Sequence, residues 1–230
     1  MINKLFYIYI NLEDHIKSIK KKVLSTITEK NNEQVKRRIS QREPIRLLEP
    51  RIPPQDESDW DEEVRLILRG NKKSSRNYIP NVIKTIVRHP KLFKRWRVFG
   101  NHVLFKSSLP DRDREILILR IGWLCQSEYE WGQHVVIGKQ AGLNDYEIKR
   151  ITEGPDAPGW NPFDATLLRA VDELYTDAFI SDTTWKKLSE RYDTHQLLDL
   201  IFTVGQYNAV SMALNTLGVP LDEGIQGFPK

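Results

Sequence analysis

The side chains best suited to chemistry lie in one octet, residues 127–134, which reads Ser-Glu-Tyr-Glu-Trp-Gly-Gln-His. Glu130 and His134 are four positions apart, so on a helix they are neighbours on one face. A glutamate that can hold a proton, beside a histidine that titrates near neutral pH, forms an acid/base pair. The single cysteine, Cys125, lies just outside the octet. The octet therefore predicts proton transfer rather than thiol redox chemistry.

The same octet also fits a purely structural interpretation, which is the commoner one for each of its residues. Ser127 and Glu130 have the spacing of a capping box, in which the hydroxyl and the carboxylate satisfy backbone amides at a helix start. Tyr129 and Trp131 fit core aromatics, and His134 fits a hydrogen-bonded core histidine. The functional interpretation gains weight because a helix N-terminus concentrates unpaired amides that suit a substrate carboxylate. Both interpretations stay open at this point.

Helix signals recur along the chain and must position these side chains. A helix opening at Asp111 carries Glu115 and Arg120, which we expect to converge on the octet. A long apolar helix near the C-terminus carries Tyr207 and ends at Gly218. Asparagine and aspartate N-caps with a matching residue three positions on, Asn144 with Glu147 and Asp193 with Gln196, mark two further helix starts. Because strand-type alternation is nearly absent, we predict an all-α bundle of about eight helices.

Composition limits the compartment and the partners. The chain has 230 residues and a net charge of +4, and residues 1–50 hold 11 Lys/Arg against 6 Asp/Glu. We therefore predict a basic, poorly ordered extension over residues 1–45 and a helical domain over residues 46–230. The near-neutral body predicts no nucleic-acid binding, since that needs a concentrated basic face. No run looks long and apolar enough to span a membrane, no secretory signal is expected, and one cysteine excludes an internal disulfide. We expect a soluble cytoplasmic protein.

Several stretches of the sequence, taken in order, resemble the carboxymuconolactone decarboxylase-like family, which includes the alkylhydroperoxidase-D proteins. They are Leu109-Pro110, residues 112–116 and 118–120, Tyr129-Glu130-Trp131 with His134, residues 141–143 and 172–174, Trp185, residues 205–208 and residues 215–220. The resemblance spans roughly residues 46–225. It implies a helical bundle of the alkylhydroperoxidase-D/carboxymuconolactone decarboxylase type, without a cofactor, that forms a homo-oligomer (dimer, trimer or hexamer).

The family resemblance separates two chemical versions of this site. The peroxidase-like members carry Cys-x-x-Cys-x-x-x-His, with a glutamate on the preceding helix. This chain has Ser127 and Glu130 at the cysteine positions, and Glu115 matches the preceding glutamate. Serine and glutamate cannot form the disulfide that such peroxide chemistry requires. The decarboxylase-type members have Glu-x-x-x-His at this site, as this chain does.

We therefore expect a cofactor-independent lyase or isomerase acting on a small carbonyl acid or lactone. His134 is expected to donate the proton and Glu130 to orient it, with Glu115 as the third catalytic residue. The residues expected to contact the substrate are Ser127, Arg120, Tyr129, Trp131 and Tyr207. No metal is expected, because two carboxylates and one histidine match common metal sites poorly. Two alternatives remain: a peroxide-reducing antioxidant that uses Cys125, and a non-catalytic oligomeric scaffold.

Overall fold

The computed structural model describes residues 47–69 and 78–229, and in those residues the chain forms nine α-helices and no strand. The all-α bundle is thus confirmed. The extension predicted for residues 1–45 lies outside the described residues. In chain order the helices are α1 (Glu62–Arg69), α2 (Asn81–Ile86), α3 (Pro90–Phe105), α4 (Asp111–Leu124), α5 (Glu128–Gln140), α6 (Asp145–Glu153), α7 (Pro162–Asp177), α8 (Asp182–Ser189) and α9 (Thr194–Leu217).

Helix α4 is the central element of the bundle. Eleven of its fourteen residues are buried, and it packs against α5, α6, α7 and α9. A helix that is buried on all sides needs apolar residues around its whole circumference, and the run from Ile116 to Leu119 supplies them. The charged residues of α4 that are also buried must then find partners inside the protein.

The helix starts follow the predicted capping chemistry at two places. Asn144 and Glu147 form a capping box at α6, and Asp193 and Gln196 form one at α9. At the start of α1 the Val64 amide donates to the Asp61 carboxylate at 2.8 Å, which caps that helix.

Helix α9 corrects the prediction that no segment is long and apolar enough for a membrane span. By length and composition alone, Thr194–Leu217 passes that test, with half of its most apolar window buried in the protein. It is a core helix that packs on α3, α4, α5, α7 and α8, which accounts for its apolar character.

The chain reverses between α4 and α5 through a turn at residues 125–127. The Ser127 amide donates to the Gly122 carbonyl and the Gln126 amide to the Trp123 carbonyl, both at 2.9 Å, and Gln126 has a φ of 53°. These bonds form a Schellman motif, which usually places glycine where Gln126 stands. The Gln126 side-chain amide also donates to the Trp123 carbonyl at 2.8 Å. The turn makes α4 and α5 antiparallel neighbours.

The C-terminal segment (residues 219–229) covers one face of α5. The buried carboxylate of Asp222 accepts hydrogen bonds from the Tyr129 hydroxyl and the Gln133 amide, both at 2.7 Å, and from the Asn81 backbone amide at 2.8 Å. Gly132 permits this contact, because a Cβ there would lie 2.5 Å from the Gln226 carbonyl oxygen. One carboxylate therefore ties the chain end to both α2 and α5.

Candidate functional site

The candidate site lies where α4 and α5 pack side by side. Glu115 projects from α4, while Glu130 and His134 project from α5. Gly138 allows the close approach, since a Cβ at that position would lie 3.1 Å from Leu143 and 3.3 Å from Leu119. At Gly122, beside Glu130, a Cβ would make only ordinary contact at 3.6 Å. Gly138 therefore lets α5 pack closely on α4, where the three side chains lie within hydrogen-bonding distance.

The imidazole of His134 lies between two carboxylates, and we call these three residues the Glu–His–Glu triad. Its Nδ1 atom lies 2.6 Å from Glu115 Oε2, and its Nε2 atom lies 2.9 Å from Glu130 Oε1. The Glu115 side chain is completely buried, and the other two side chains each retain 6% exposure. The expected pairing of Glu130 with His134 is what the structure contains, and Glu115 completes it from the opposite side.

The two carboxylates keep His134 protonated. Burial alone would lower the imidazole pKa, but the charges and hydrogen bonds of Glu115 and Glu130 outweigh burial and raise the pKa from 6.5 to about 9. In the imidazolium form both ring nitrogens donate, so that each carboxylate receives one bond. A neutral imidazole would have one nitrogen without a hydrogen, and that nitrogen would face a carboxylate oxygen, so that two hydrogen-bond acceptors would lie against each other. The two carboxylates therefore oppose loss of the imidazole proton.

Arg114 completes the charge balance of the site and was not among the expected site residues. Its Nε atom lies 3.1 Å from Glu115 Oε1, and its Nη1 atom lies 2.6 Å from Asp111 Oδ1 at the surface. Arg114, Glu115, His134 and Glu130 together carry no net charge when all are ionised. Neutrality lowers the cost of burying four ionised groups. The sequence signal was only the adjacency of Arg114 to Glu115.

The predicted Ser127–Glu130 capping box is wrong. Ser127 is the N-cap of α5, but its side chain makes no capping hydrogen bond. The Glu130 carboxylate faces His134 instead, because a buried carboxylate gains more from an imidazolium than from one amide. The Ser127 hydroxyl is completely buried and has no hydrogen-bond partner among the described residues. It is therefore an unsatisfied hydrogen-bonding group at the start of α5, the helix that carries Glu130 and His134.

Three of the residues expected to bind substrate are engaged elsewhere. The Arg120 guanidinium pairs with both carboxylate oxygens of Asp172, at 2.7 and 2.9 Å, and donates to backbone carbonyls at the end of α6. The Tyr129 hydroxyl donates to Asp222. Trp131, only 2% exposed, packs against Trp123 and Phe228. These side chains hold helices and the C-terminal segment together.

Tyr207 on α9 does lie against the triad. Its ring meets the His134 imidazole edge to face, with 4.8 Å between the ring centres. Burial, together with the charges of Glu130 and Glu115, raises the pKa of Tyr207 well above 10, so its hydroxyl keeps its proton. Tyr207 thus closes the side of the triad that faces α9.

The single cysteine lies near the triad in an environment that opposes ionisation. The Cys125 thiol donates to the Asn208 side-chain oxygen at 3.2 Å. Burial above all, together with the charge of Glu130, raises the thiol pKa to about 12. Since the thiolate is the reactive species, this environment argues against peroxide reduction by Cys125.

Two further features bear on ligands. A cavity of about 770 Å³ lies between α1 and α3, lined by residues such as Leu66, Phe93 and Val98, and no triad residue lines it. In the described part of the chain, no group of three or more histidine, cysteine, aspartate or glutamate side chains is arranged to hold a metal ion.

Comparison with known proteins supports the fold and the family. Residues 90–173, which include the whole triad, match the Carboxymuconolactone decarboxylase family. A crystal structure of the alkylhydroperoxidase AhpD core, an uncharacterized peroxidase-related protein from Ralstonia eutropha JMP134, is similar with a TM-score of 0.67 at 14% identity, covering 76% of this chain and 93% of that one. No curated protein matches the sequence.

Two further solved structures show the same fold. An uncharacterized peroxidase-related protein from Silicibacter sp. TM1040 has a TM-score of 0.66 at 13% identity, covering 80% of this chain and 95% of that one. The debrominase Bmp8, in complex with 2,3,4-tribromopyrrole, has a TM-score of 0.62 at 12% identity, covering 76% and 94%. The described bundle thus has the fold of these solved structures, and residues 90–173 match the Carboxymuconolactone decarboxylase family.

Proposed function

We propose that this chain is a cofactor-independent lyase or isomerase that moves protons to and from a small carbonyl acid or lactone. The observation that carries the proposal is the imidazole of His134 held between two buried carboxylates, 2.6 and 2.9 Å from its nitrogens. Such an arrangement stores one proton and can pass it between groups without changing the total charge. The replacement of both family thiols by Ser127 and Glu130 favours this acid/base chemistry over peroxide reduction.

The geometry changes the roles expected from the sequence. Both nitrogens of His134 face carboxylates, so the imidazole does not meet a substrate directly. We assign the exchange with substrate to Glu130, with His134 as the proton store and Glu115, paired with Arg114, as the fixed carboxylate behind it. Transfer of the Nε2 proton to Glu130 converts that side chain into a neutral acid next to a neutral imidazole.

The proposed decarboxylation then proceeds in two steps. The bond from the substrate carboxylate to its neighbouring carbon breaks, CO₂ leaves, and the electron pair moves onto the conjugated carbonyl to give an enolate. The enolate carbonyl re-forms as its carbon takes the proton from Glu130. Uptake of one proton from the solvent then restores the triad, so the net change is loss of CO₂ and gain of one proton at carbon. An isomerisation uses the same groups in a different order, because the Glu130 carboxylate takes a proton from one carbon and returns it to another. General acid–base catalysis of this kind contributes about 10²–10⁴-fold in rate.

Two hydroxyl groups are candidates to bind the substrate oxygens. The Ser127 hydroxyl is buried and without a partner among the described residues, and Tyr207 keeps its proton at neutral pH. Donors aimed at an enolate oxygen stabilise the charge that develops there. Because the triad is almost completely enclosed, substrate entry requires a displacement of the elements that cover it.

The proposal is tested by turnover of a panel of small keto acids, enol acids and unsaturated lactones. We expect Glu130→Gln and His134→Gln to lower turnover at least ~100-fold while the far-ultraviolet circular dichroism stays that of a helical protein. Glu190→Gln is the matched control, since Glu190 is exposed at the end of α8. Equal turnover by Glu130→Gln and the wild-type protein would refute the role of Glu130.

A specific observation also favours a second function, that of a non-catalytic helical scaffold. The triad is enclosed, and both imidazole nitrogens already have partners. In that case the triad only stabilises the packing of α4 on α5. The scaffold predicts that no member of the panel is turned over or bound by the wild-type protein, and that His134→Gln changes only the melting temperature.

A further inference from the structure

One side of α9 is exposed in the described part of the chain, although the helix is long and predominantly apolar. From residue 195 to residue 216 its exposed positions follow one another at alternating intervals of three and four. They are His195, Leu198, Phe202, Gly205, Ala209, Met212 and Thr216. We call this set the α9 stripe. Spacing by threes and fours is that of a seam between two helices packed side by side.

The α9 stripe is approximately palindromic: residues at equal distances before and after its centre pair small with small and, next to them, large apolar with large apolar. Counted outward from position 207, Gly205 mirrors Ala209, Phe202 mirrors Met212, and Leu198 mirrors Thr216. Two copies of α9 that run antiparallel about a two-fold axis at this level place small residues opposite small ones at the centre. A large apolar side chain then faces another on each side. An isologous dimer requires this self-complementarity.

The centre of the α9 stripe has room for a second helix. A Cβ added to Gly205 would meet no atom within 4 Å. Small residues at a helix surface allow two backbones to approach closely, and larger neighbours then interdigitate around them. The exposed fractions of Leu198, Phe202 and Met212 are 49%, 56% and 57%, so each has apolar surface to bury.

The area available is enough for a small dimer interface. A helix of 24 residues is about 36 Å long and 10–12 Å wide, giving a footprint of roughly 400 Å² per copy. Phe99 of α3 widens the stripe, because its ring contacts that of Phe202 edge to face and remains 37% exposed. Two copies together then bury about 1,000 Å², the lower end of what a specific interface needs.

We infer that the α9 stripe is the contact surface for a second copy of this chain, packed antiparallel about a two-fold axis near residue 207. The partner is the same surface on an identical subunit. Tyr207 points the opposite way, onto His134. Pairing would therefore fix the helix that closes the triad on the α9 side, and the inference does not depend on the proposed reaction.

Sedimentation equilibrium of the full chain tests the inference. The wild-type protein, whose subunit mass is 26.9 kDa, should sediment as a dimer or a multiple of dimers at micromolar concentration. Phe202→Glu should weaken the α9 pairing at least ~100-fold, because each copy would bury an unpaired carboxylate. Phe179→Glu is the matched control, since Phe179 is 64% exposed outside α9.

Cross-linking tests the antiparallel register. In a Cys125→Ser background, a chain carrying both Gly205→Cys and Ala209→Cys should form intermolecular disulfides on mild oxidation, because those positions face each other across the axis. Either substitution alone should cross-link much more slowly. A monomeric wild-type protein would overturn the inference, as would an oligomer unaffected by Phe202→Glu. The inference would also fail if the wild-type protein were monomeric and floated with lipid vesicles, and if Phe202→Glu abolished this flotation. That result would assign the stripe to a membrane surface instead.

Discussion

At the scale of single residues, the site depends on the groups that stabilise the positive charge of the buried His134 imidazolium. An isolated imidazolium in a protein interior would lose its proton, since burial disfavours the charged form. Here Glu115 and Glu130 reverse that effect, and Arg114 lies 3.1 Å from Glu115 on the other side. The site can thus hold a proton in the protein interior while it remains neutral overall.

The stability of the protein should fall as the pH rises toward 10. The pKa of His134 is raised from 6.5 to about 9 in the folded protein, so the stabilisation is complete below pH 6.5 and is lost as the pH rises through about 9. The raised pKa corresponds to a loss on the order of 3 kcal/mol across this range. Urea unfolding at several pH values measures it. His134→Gln is the control, because it should remove this dependence between pH 6.5 and 9. An identical pH profile in that variant would contradict the assignment.

The sequence was sufficient to predict that the three triad residues lie together, but not to predict which residues surround them. Glu130 and His134 follow from helical spacing, and Glu115 follows from the family resemblance. Arg120 was expected beside them, yet it lies five positions after Glu115. Five residues of an α-helix correspond to about 500°, so the two side chains point about 140° apart. Arg120 consequently reaches Asp172 and α6 rather than the triad.

At the scale of elements, the turn at residues 125–127 decides how α5 meets α4. Gln126 adopts a positive φ of 53°, a conformation that usually requires glycine. Sequence signals for helix ends depend on glycine and proline, so this turn gave no signal beyond the end of the apolar run. The capping boxes at α6 and α9 were found because all their chemistry lies within four consecutive residues.

Replacing Gln126 with glycine should make the protein more stable. Glycine removes the strain of the left-handed conformation, and this outweighs the loss of the bond from the Gln126 side chain to Trp123. We expect the free energy of unfolding to rise by about 0.5–1 kcal/mol, measured by chemical denaturation. Gln126→Val should have the opposite effect, because a β-branched residue tolerates positive φ poorly. If glycine destabilised the protein as much as valine, the strain argument would fail.

The contact of the C-terminal segment with α5 could not be predicted from the sequence, because Asp222 and Tyr129 are 93 positions apart. Its strength can be measured through Asp222→Asn. An asparagine amide meets the donors of Tyr129 and Gln133 with a donor of its own, which leaves buried groups unsatisfied. We expect a loss of about 1–3 kcal/mol in unfolding free energy and faster proteolysis of residues 219–229. Asp177→Asn, at an exposed helix end, is the control. An Asp222→Asn protein that matches this control would show that the carboxylate does not hold the segment.

At the scale of the whole molecule, helix periodicity and the family resemblance were enough to predict the all-α bundle. They were not enough to separate the two sides of α9. That helix is apolar on almost every side, so hydropathy alone does not separate the face that packs on α4 from the α9 stripe. Hydropathy also does not tell whether the helix is a core helix or a membrane-spanning one. Only the packed structure shows which positions remain exposed, and those positions form the stripe.

The central claim is that the triad exchanges protons with a carbon acid, and the most direct measurement is hydrogen–deuterium exchange at carbon in D₂O, followed by proton NMR. Small keto acids and lactones should exchange the hydrogens next to their carbonyl groups faster with the wild-type protein, and equally with Glu190→Gln, than in buffer alone. Glu130→Gln and His134→Gln should reduce that catalysed rate at least ~100-fold. A catalysed rate that is the same in the wild-type protein and in Glu130→Gln would contradict the account.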